Sequence, residues 1–211
     1  MGSLVKGILL FSLAVAPGFT ATLFFQGTFA ADDQVALFNF TLNTNETITI
    51  QTDSYAGGDL DSVPVSAGGF VPSAFIFDNM GDELDLSTYI GNCVQGGLDP
   101  TTGACNDLYY QAPLGPGTFT LALAVDNNSP LGTFASDGFV DDGNPGFTCQ
   151  GNGGSFCDVT TALGDSRTGN YAIAITGADS VTTPEPGSIL LLFAGGAWIA
   201  LRRRHFSSRQ V

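Results

Sequence analysis

The sequence predicts an all-β fold, a jelly-roll-like β-sandwich with long Gly/Asp-rich loops, and three observations carry that prediction. Gly, Thr, Phe, Asn and Asp are abundant while Lys is almost missing, which is the composition of short strands joined by many turns rather than of helices. Seven segments combine aromatic and β-branched residues with partial or full alternation. The stretches between them are rich in Gly, Asp, Asn and Pro, the residues that reverse a chain.

Taken in order, strands are expected over residues 24–29, 35–42 (VALFNFTL), 46–52 (ETITIQT), 74–77 (AFIF), 108–112, 117–126 (GTFTLALAVD) and 170–176 (NYAIAIT). In the last two the alternation is clean: Phe119, Leu121, Leu123 and Val125 share one face, as do Tyr171, Ile173 and Ile175. That pattern predicts one buried sheet face. Residues 56–69, 91–103 and 126–168 read as connectors. The last is too long for a structureless link inside a domain, so an organised loop held by cross-links or metal is expected.

The chain divides by charge. Between Ala31 and Val181 there are nineteen acidic residues and a single base, Arg167, so the body carries −18. Polyphosphate binding depends on Lys and Arg displacing counterions, so nucleic acid is excluded as a partner. The other bases lie at the two ends. Lys6 precedes an apolar run (GILLFSLAVA, residues 7–16) interrupted by Pro17 and Gly18. A positive start, a short apolar stretch and small residues beyond it form a secretory signal read by the Sec translocon, assigned to residues 1–20, with the body over 21–180. At the other end Pro184, Glu185, Pro186 and Gly187 lead into SILLLFAGGAWIAL and then Arg202, Arg203 and Arg204. As a helix that segment spans about 21 Å, short of the roughly 30 Å hydrocarbon core, so it is a marginal inner-membrane anchor that relies on arginine snorkelling. The arginines stay cytoplasmic by the positive-inside rule, leaving the acidic body on the far side.

This tail, with Pro184, Glu185 and Pro186 followed by a short apolar helix and the Arg202 to Arg204 cluster, resembles the PEP-CTERM sorting signal of Gram-negative bacteria over residues 184–208. The resemblance implies recognition by an exosortase-type membrane protease, removal of the helix, and delivery to the outer surface or the exopolysaccharide matrix. In the body, residues 33–50, a strand with a Phe-x-Phe-Thr-Leu ending followed by a turn and Thr-Ile-Thr-Ile, are similar to the opening hairpin of bacterial pre-peptidase C-terminal (PPC) domains. So is Leu114-Gly115-Pro116-Gly117-Thr118-Phe119-Thr120-Leu121 to their Gly-Thr-Tyr-x-Leu strand. Those are jelly-roll modules, and a Phe-Cys-Asp element such as Phe156-Cys157-Asp158 accompanies the versions linked to PEP-CTERM tails.

Cys93, Cys105, Cys149 and Cys157 are an even set in an exported chain, so disulfides are expected. Of the three possible pairings, Cys93 with Cys105 and Cys149 with Cys157 is favoured, because each closes a short loop between Gly-rich flanks. Zinc is disfavoured, since neither pair is spaced C-x-x-C and the body has no histidine. Two acidic clusters, Asp78, Asn79, Asp82 and Asp85 with Glu83, and Asp137, Asp141 and Asp142, are candidate Ca²⁺ ligands, because hard cations collect carboxylate and amide oxygens in Gly-rich loops. Neither has EF-hand spacing, and a solvated acidic surface is the competing account.

Catalytic groups are scarce. The one histidine, His205, is in the tail, and no lysine stands in the body, so triad and Schiff-base chemistry fall away. A non-catalytic, exported structural or interaction protein of the cell surface or biofilm matrix follows, with exopolysaccharide as a possible partner. A calcium-dependent carbohydrate-binding module is second, with Tyr109 and Tyr110 as the first stacking pair, and a secreted glycoside hydrolase using paired carboxylates is third.

Overall fold

The computed structural model describes residues 22–84, 97–149, 154–158 and 166–182. The expected signal segment, the membrane segment with its Pro184–Pro186 motif and arginines, Asp85 and Cys93 all lie outside them. Ten strands are found: β1 (Thr22–Thr28), β2 (Ala36–Leu42), β3 (Glu46–Thr52), β4 (Gly58–Leu60), β5 (Val63–Val65), β6 (Pro72–Phe77), β7 (Tyr109–Leu114), β8 (Gly117–Val125), β9 (Asn170–Thr176) and β10 (Ser180–Thr182). Eight build two antiparallel four-stranded sheets, ordered β1-β9-β3-β7 and β10-β2-β8-β6, while β4 and β5 form a separate hairpin. The all-β expectation holds.

Successive sandwich strands alternate between the sheets, so each short connection is a corner rather than a hairpin. This corrects the reading of residues 33–50. Strand β2 pairs with β8 and β10, whereas β3 pairs with β7 and β9. The physical reason is the shared core: Phe38, Phe40 and Leu42 enter it from one side, and Ile48 and Ile50 from the other. Leu121, Leu123, Ile173 and Ile175 complete that core with no measurable exposure.

The face marked by alternation in β8 and β9 is buried as expected, and the opposite face is covered too: Ala122, Ala124, Ala172 and Ala174 are also buried. Their small side chains admit covering segments. Hairpin β4-β5 lies over the first sheet, with Leu60 and Val65 packed on Ala172, Ala174 and Phe24. Residues 126–149 run as a strap over the second sheet, where Phe139 meets Phe75, Phe77, Ala122 and Ala124. The strap carries two 3₁₀ turns, Ala135–Asp137 and Phe147–Cys149, and its tip bonds to the turn after β6 through Glu83 N–H to Thr133 O and Ala135 N–H to Gly81 O. Residues 126–149 of the long connector are thus organised, as its length predicted.

The hairpin's turn residues, Asp61 and Ser62, both adopt positive φ, 50° and 67°. Such φ values suit a tight two-residue hairpin link and are uncommon outside Gly and Asn. Phe139→Ala removes the ring that seats the strap, and large-to-small changes of this kind cost about 3–5 kcal/mol. Thermal denaturation is expected to show that loss, and limited proteolysis is expected to open within residues 126–149 before the sheets are cut.

Candidate functional site

The polar centre of the molecule is a latch around Arg167, at the end of the sandwich where β3 finishes and β7 and β9 begin. Its guanidinium bonds Asp99 Oδ2 at 2.9 Å and Asp158 Oδ2 at 3.1 Å, with all three side chains almost fully buried. The guanidinium carbon also sits 3.9 Å from the centroid of the Tyr55 ring, which adds a cation–π contact. Tyr55 in turn donates its hydroxyl to Asp158 Oδ2 at 2.5 Å. Each residue comes from a different segment: Tyr55 from the loop after β3, Asp99 from the turn before β7, Asp158 from the disulfide loop, and Arg167 from the entry to β9. Among the described buried side-chain polar atoms, only Arg167 Nε lacks a partner.

Three of the four segments joined at the latch have an organising carboxylate. Asp99 Oδ1 accepts from the Thr101 and Thr102 amides and from Thr102 Oγ1. Asp107 accepts the Tyr55 and Ala56 amides and Thr52 Oγ1. Asp32 accepts the Gly146 and Thr148 amides and Thr148 Oγ1, which orders the loop closed by the Cys149–Cys157 disulfide. That disulfide is one of the two expected. Cys105 is disulfide-bonded too, and Cys93, its expected partner, lies outside the described residues.

Burial raises the pKa of each of these acids, and their hydrogen bonds and charged neighbours decide the net direction. For Asp99, desolvation favours the neutral form, but the Arg167 bond and the turn hydrogen bonds outweigh it and bring the pKa down to about 2. Asp32 is likewise lowered, its desolvation outweighed by the Thr148 hydroxyl and the loop amides. Asp53 is pushed up to about 6, first by burial and then by repulsion from Asp107 and Asp59, against a lowering bond from Gln51. Asp107 is also raised, because desolvation exceeds the help of its backbone donors.

The sequence-derived acidic candidates occupy different roles. Asp78 Oδ1 accepts the Met80 and Asp82 amides, Asp137 Oδ2 the Phe134 amide, Asp142 Oδ2 the Phe139 amide, and Asp141 Oδ1 the Asn144 side chain. Asp78, Asp137 and Asp142 thus cap turns of their own backbone, and Asp141 is tied to a neighbouring side chain. The strap brings both clusters to one region through the Asp82 to Phe134 bridge, yet among the described residues no three His, Cys, Asp or Glu side chains converge to hold a metal. Tyr109 and Tyr110 are consecutive in β7, so they point to opposite faces, and Tyr110 packs on the core. They do not form one stacking platform.

A second feature is a cleft of about 450 Å³ between the outer side of the β1-β9 pair and the β4-β5 hairpin. Gln26, Thr28 and Asn170 line one wall, Pro64, Val65 and Ser66 the other. Neither the latch nor the cleft was picked out residue by residue in advance. The one signal for the latch was the solitary Arg167 in an acidic body. No protein-family model matches the chain, and no curated protein matches it in sequence.

Arg167→Met leaves two buried carboxylates without their cation, and breaking a buried pair from one side costs about 3–5 kcal/mol. Chemical denaturation at neutral pH is expected to register that loss. The acids also set a pH signature. Asp99 is lowered below its ordinary 3.8, so its contribution is complete above that value and fades as pH falls toward about 2. Asp53 is raised, so its contribution is complete below 3.8 and is lost as pH rises through about 6. Asp53→Asn, which keeps an acceptor for Gln51, is therefore expected to stabilise the protein by up to about 3 kcal/mol at pH 7 and by nothing measurable near pH 3. Melting curves across that range check the sign.

Proposed function

We propose that this chain is a non-catalytic, exported protein of the cell surface or extracellular matrix, sorted through its C-terminal tail by an exosortase-type system. The single structural observation behind the reading is the Cys149–Cys157 disulfide, because such bonds persist in oxidising compartments outside the cytoplasm. The sequence supplies the route: a secretory start, a PEP-CTERM-like end, and an acidic body held between them. Kinship with PPC-type jelly rolls is part of the same proposal and rests on the strand motifs, several of which fall in β2, β3 and β8.

The buried acids support a structural role. Asp32, Asp99 and Asp107 direct their oxygens to loop backbone, hydroxyls and the one body arginine. A hydrolase would instead need two carboxylates facing a substrate groove, and Asp53 and Asp107, the two with raised pKa, are enclosed at 2% and 1% exposure.

Intact mass spectrometry of protein released from the cell surface tests the reading. The expected product lacks residues 190–204; a surface form that retains them refutes sorting, and a reporter fused after Val181 that is active only in the cytosol refutes export.

A further inference from the structure

We propose that the cleft between the β1-β9 pair and the β4-β5 hairpin binds an uncharged polysaccharide chain. The inference deepens the surface-protein reading and rests on it for its setting, while the chemistry of the cleft stands on its own residues.

Charge sets the cleft apart. The body carries nineteen acids, yet β1 (TLFFQGT) and β9 (NYAIAIT) contain none, and among the described residues no charged one lines the cleft. With no carboxylate on its walls it offers nothing to a metal cation. An anion fares no better, because the surrounding field is negative and the body's only base is sealed in the latch. The occupant is therefore neutral.

Hydrogen-bonding capacity narrows the class further. The Ser54 hydroxyl at the floor is committed to the Ala172 carbonyl and amide, and Thr28 Oγ1 donates to Asn170 Oδ1 at 2.8 Å. The Gln26 amide, the Ser66 hydroxyl and Asn170 Nδ2 make no side-chain hydrogen bond with a described residue. These groups both donate and accept, as sugar hydroxyls do, and Pro64 and Val65 supply the apolar wall that a sugar's C–H face needs. Gln26, Thr28, Pro64, Ser66 and Asn170 are exposed, so the cleft is a passage along the surface and suits a chain rather than an enclosed small molecule.

Isothermal titration of the full chain in mild detergent tests this with neutral hexasaccharides of β-1,4-glucan, α-1,4-glucan and β-1,4-mannan, and with acidic alginate and polygalacturonate oligomers. Binding of at least one neutral chain and of neither acidic one is expected. The double variant Gln26→Ala, Asn170→Ala is expected to weaken that binding about tenfold, the effect of two net hydrogen bonds, with the melting temperature unchanged. Tyr109→Ala, on the opposite edge of the sheet, should leave it intact. Preference for the acidic oligomers, neutral binding indifferent to the double variant, or no binding to any of the five overturns the proposal. Its failure alongside normal loss of residues 190–204 leaves the surface reading standing, and intact binding by a chain that keeps its tail removes only the sorting.

Discussion

A guanidinium sealed inside a protein has to be matched in charge and geometry, and the described loops at one end of this sandwich are arranged around meeting that demand for Arg167. Taking one cation and two carboxylates out of water is costly, and the mutual attraction repays it only when the remaining donors and acceptors are also engaged. Here Asp99 divides its oxygens between the arginine and its own turn, and Tyr55 supplies both a ring face and a hydroxyl. Four segments far apart in sequence, carrying Tyr55, Asp99, Asp158 and Arg167, are thereby fixed to one another. A hydrophobic cluster could hold them as firmly, but it would not specify which loop meets which. Directional pairing does, and this is the natural account of why the body keeps one base among nineteen acids.

The same end is closed by aromatic packing just outside the main core. Phe29 stacks on Phe70 with centroids 5.2 Å apart, and Phe70 stacks on Phe156 at 6.0 Å. Phe156 belongs to the disulfide loop and Phe29 to the connection after β1, so the cross-link, the latch and the ring stack restrain the same strand ends from three directions. Residues 166–169 join them to the sheets: Arg167 N–H bonds Phe156 O, Thr168 N–H bonds Gly68 O, and Phe29 N–H bonds Gly169 O. With these loops restrained, hairpin β4-β5 is held over the first sheet at a fixed height, and a cleft rather than a contact remains beside it.

Much of this was legible in the sequence, and the parts that were not have identifiable causes. Strands β3 and β9 fall where the alternation placed them, because their apolar residues repeat every second position and their ends carry turn residues. The hairpin β4-β5 was hidden inside residues 56–69, where each strand has three residues and the turn uses Asp61 and Ser62 in place of the usual Asn-Gly. Burial of the outer faces was hidden differently. Ala122, Ala124, Ala172 and Ala174 read as neutral spacers in an alternating pattern, and only the covering segments show that their smallness makes room for Phe139 and Leu60. The acids were the hardest to read, because a carboxylate that caps a turn and one that ligates a cation occur in the same Gly/Asp-rich loops. The hydrogen bonds of Asp78, Asp137 and Asp142 show the turn-capping use.

Placement of charge connects the fold to its surroundings. Acids at the loops and turns serve twice: they accept backbone amides that would otherwise be left over where strands end, and their net charge keeps copies of the body apart. That repulsion would also keep the protein from any acidic polymer around it unless some region were exempt. The β1-β9 pair is such a region, free of charge along both strands and edged by amides and hydroxyls that its own fold leaves unengaged. On the reading proposed above, a body that repels its own kind over most of its surface stays dispersed, and the neutral, hydrogen-bonding cleft is the one place where an uncharged chain meets no such penalty.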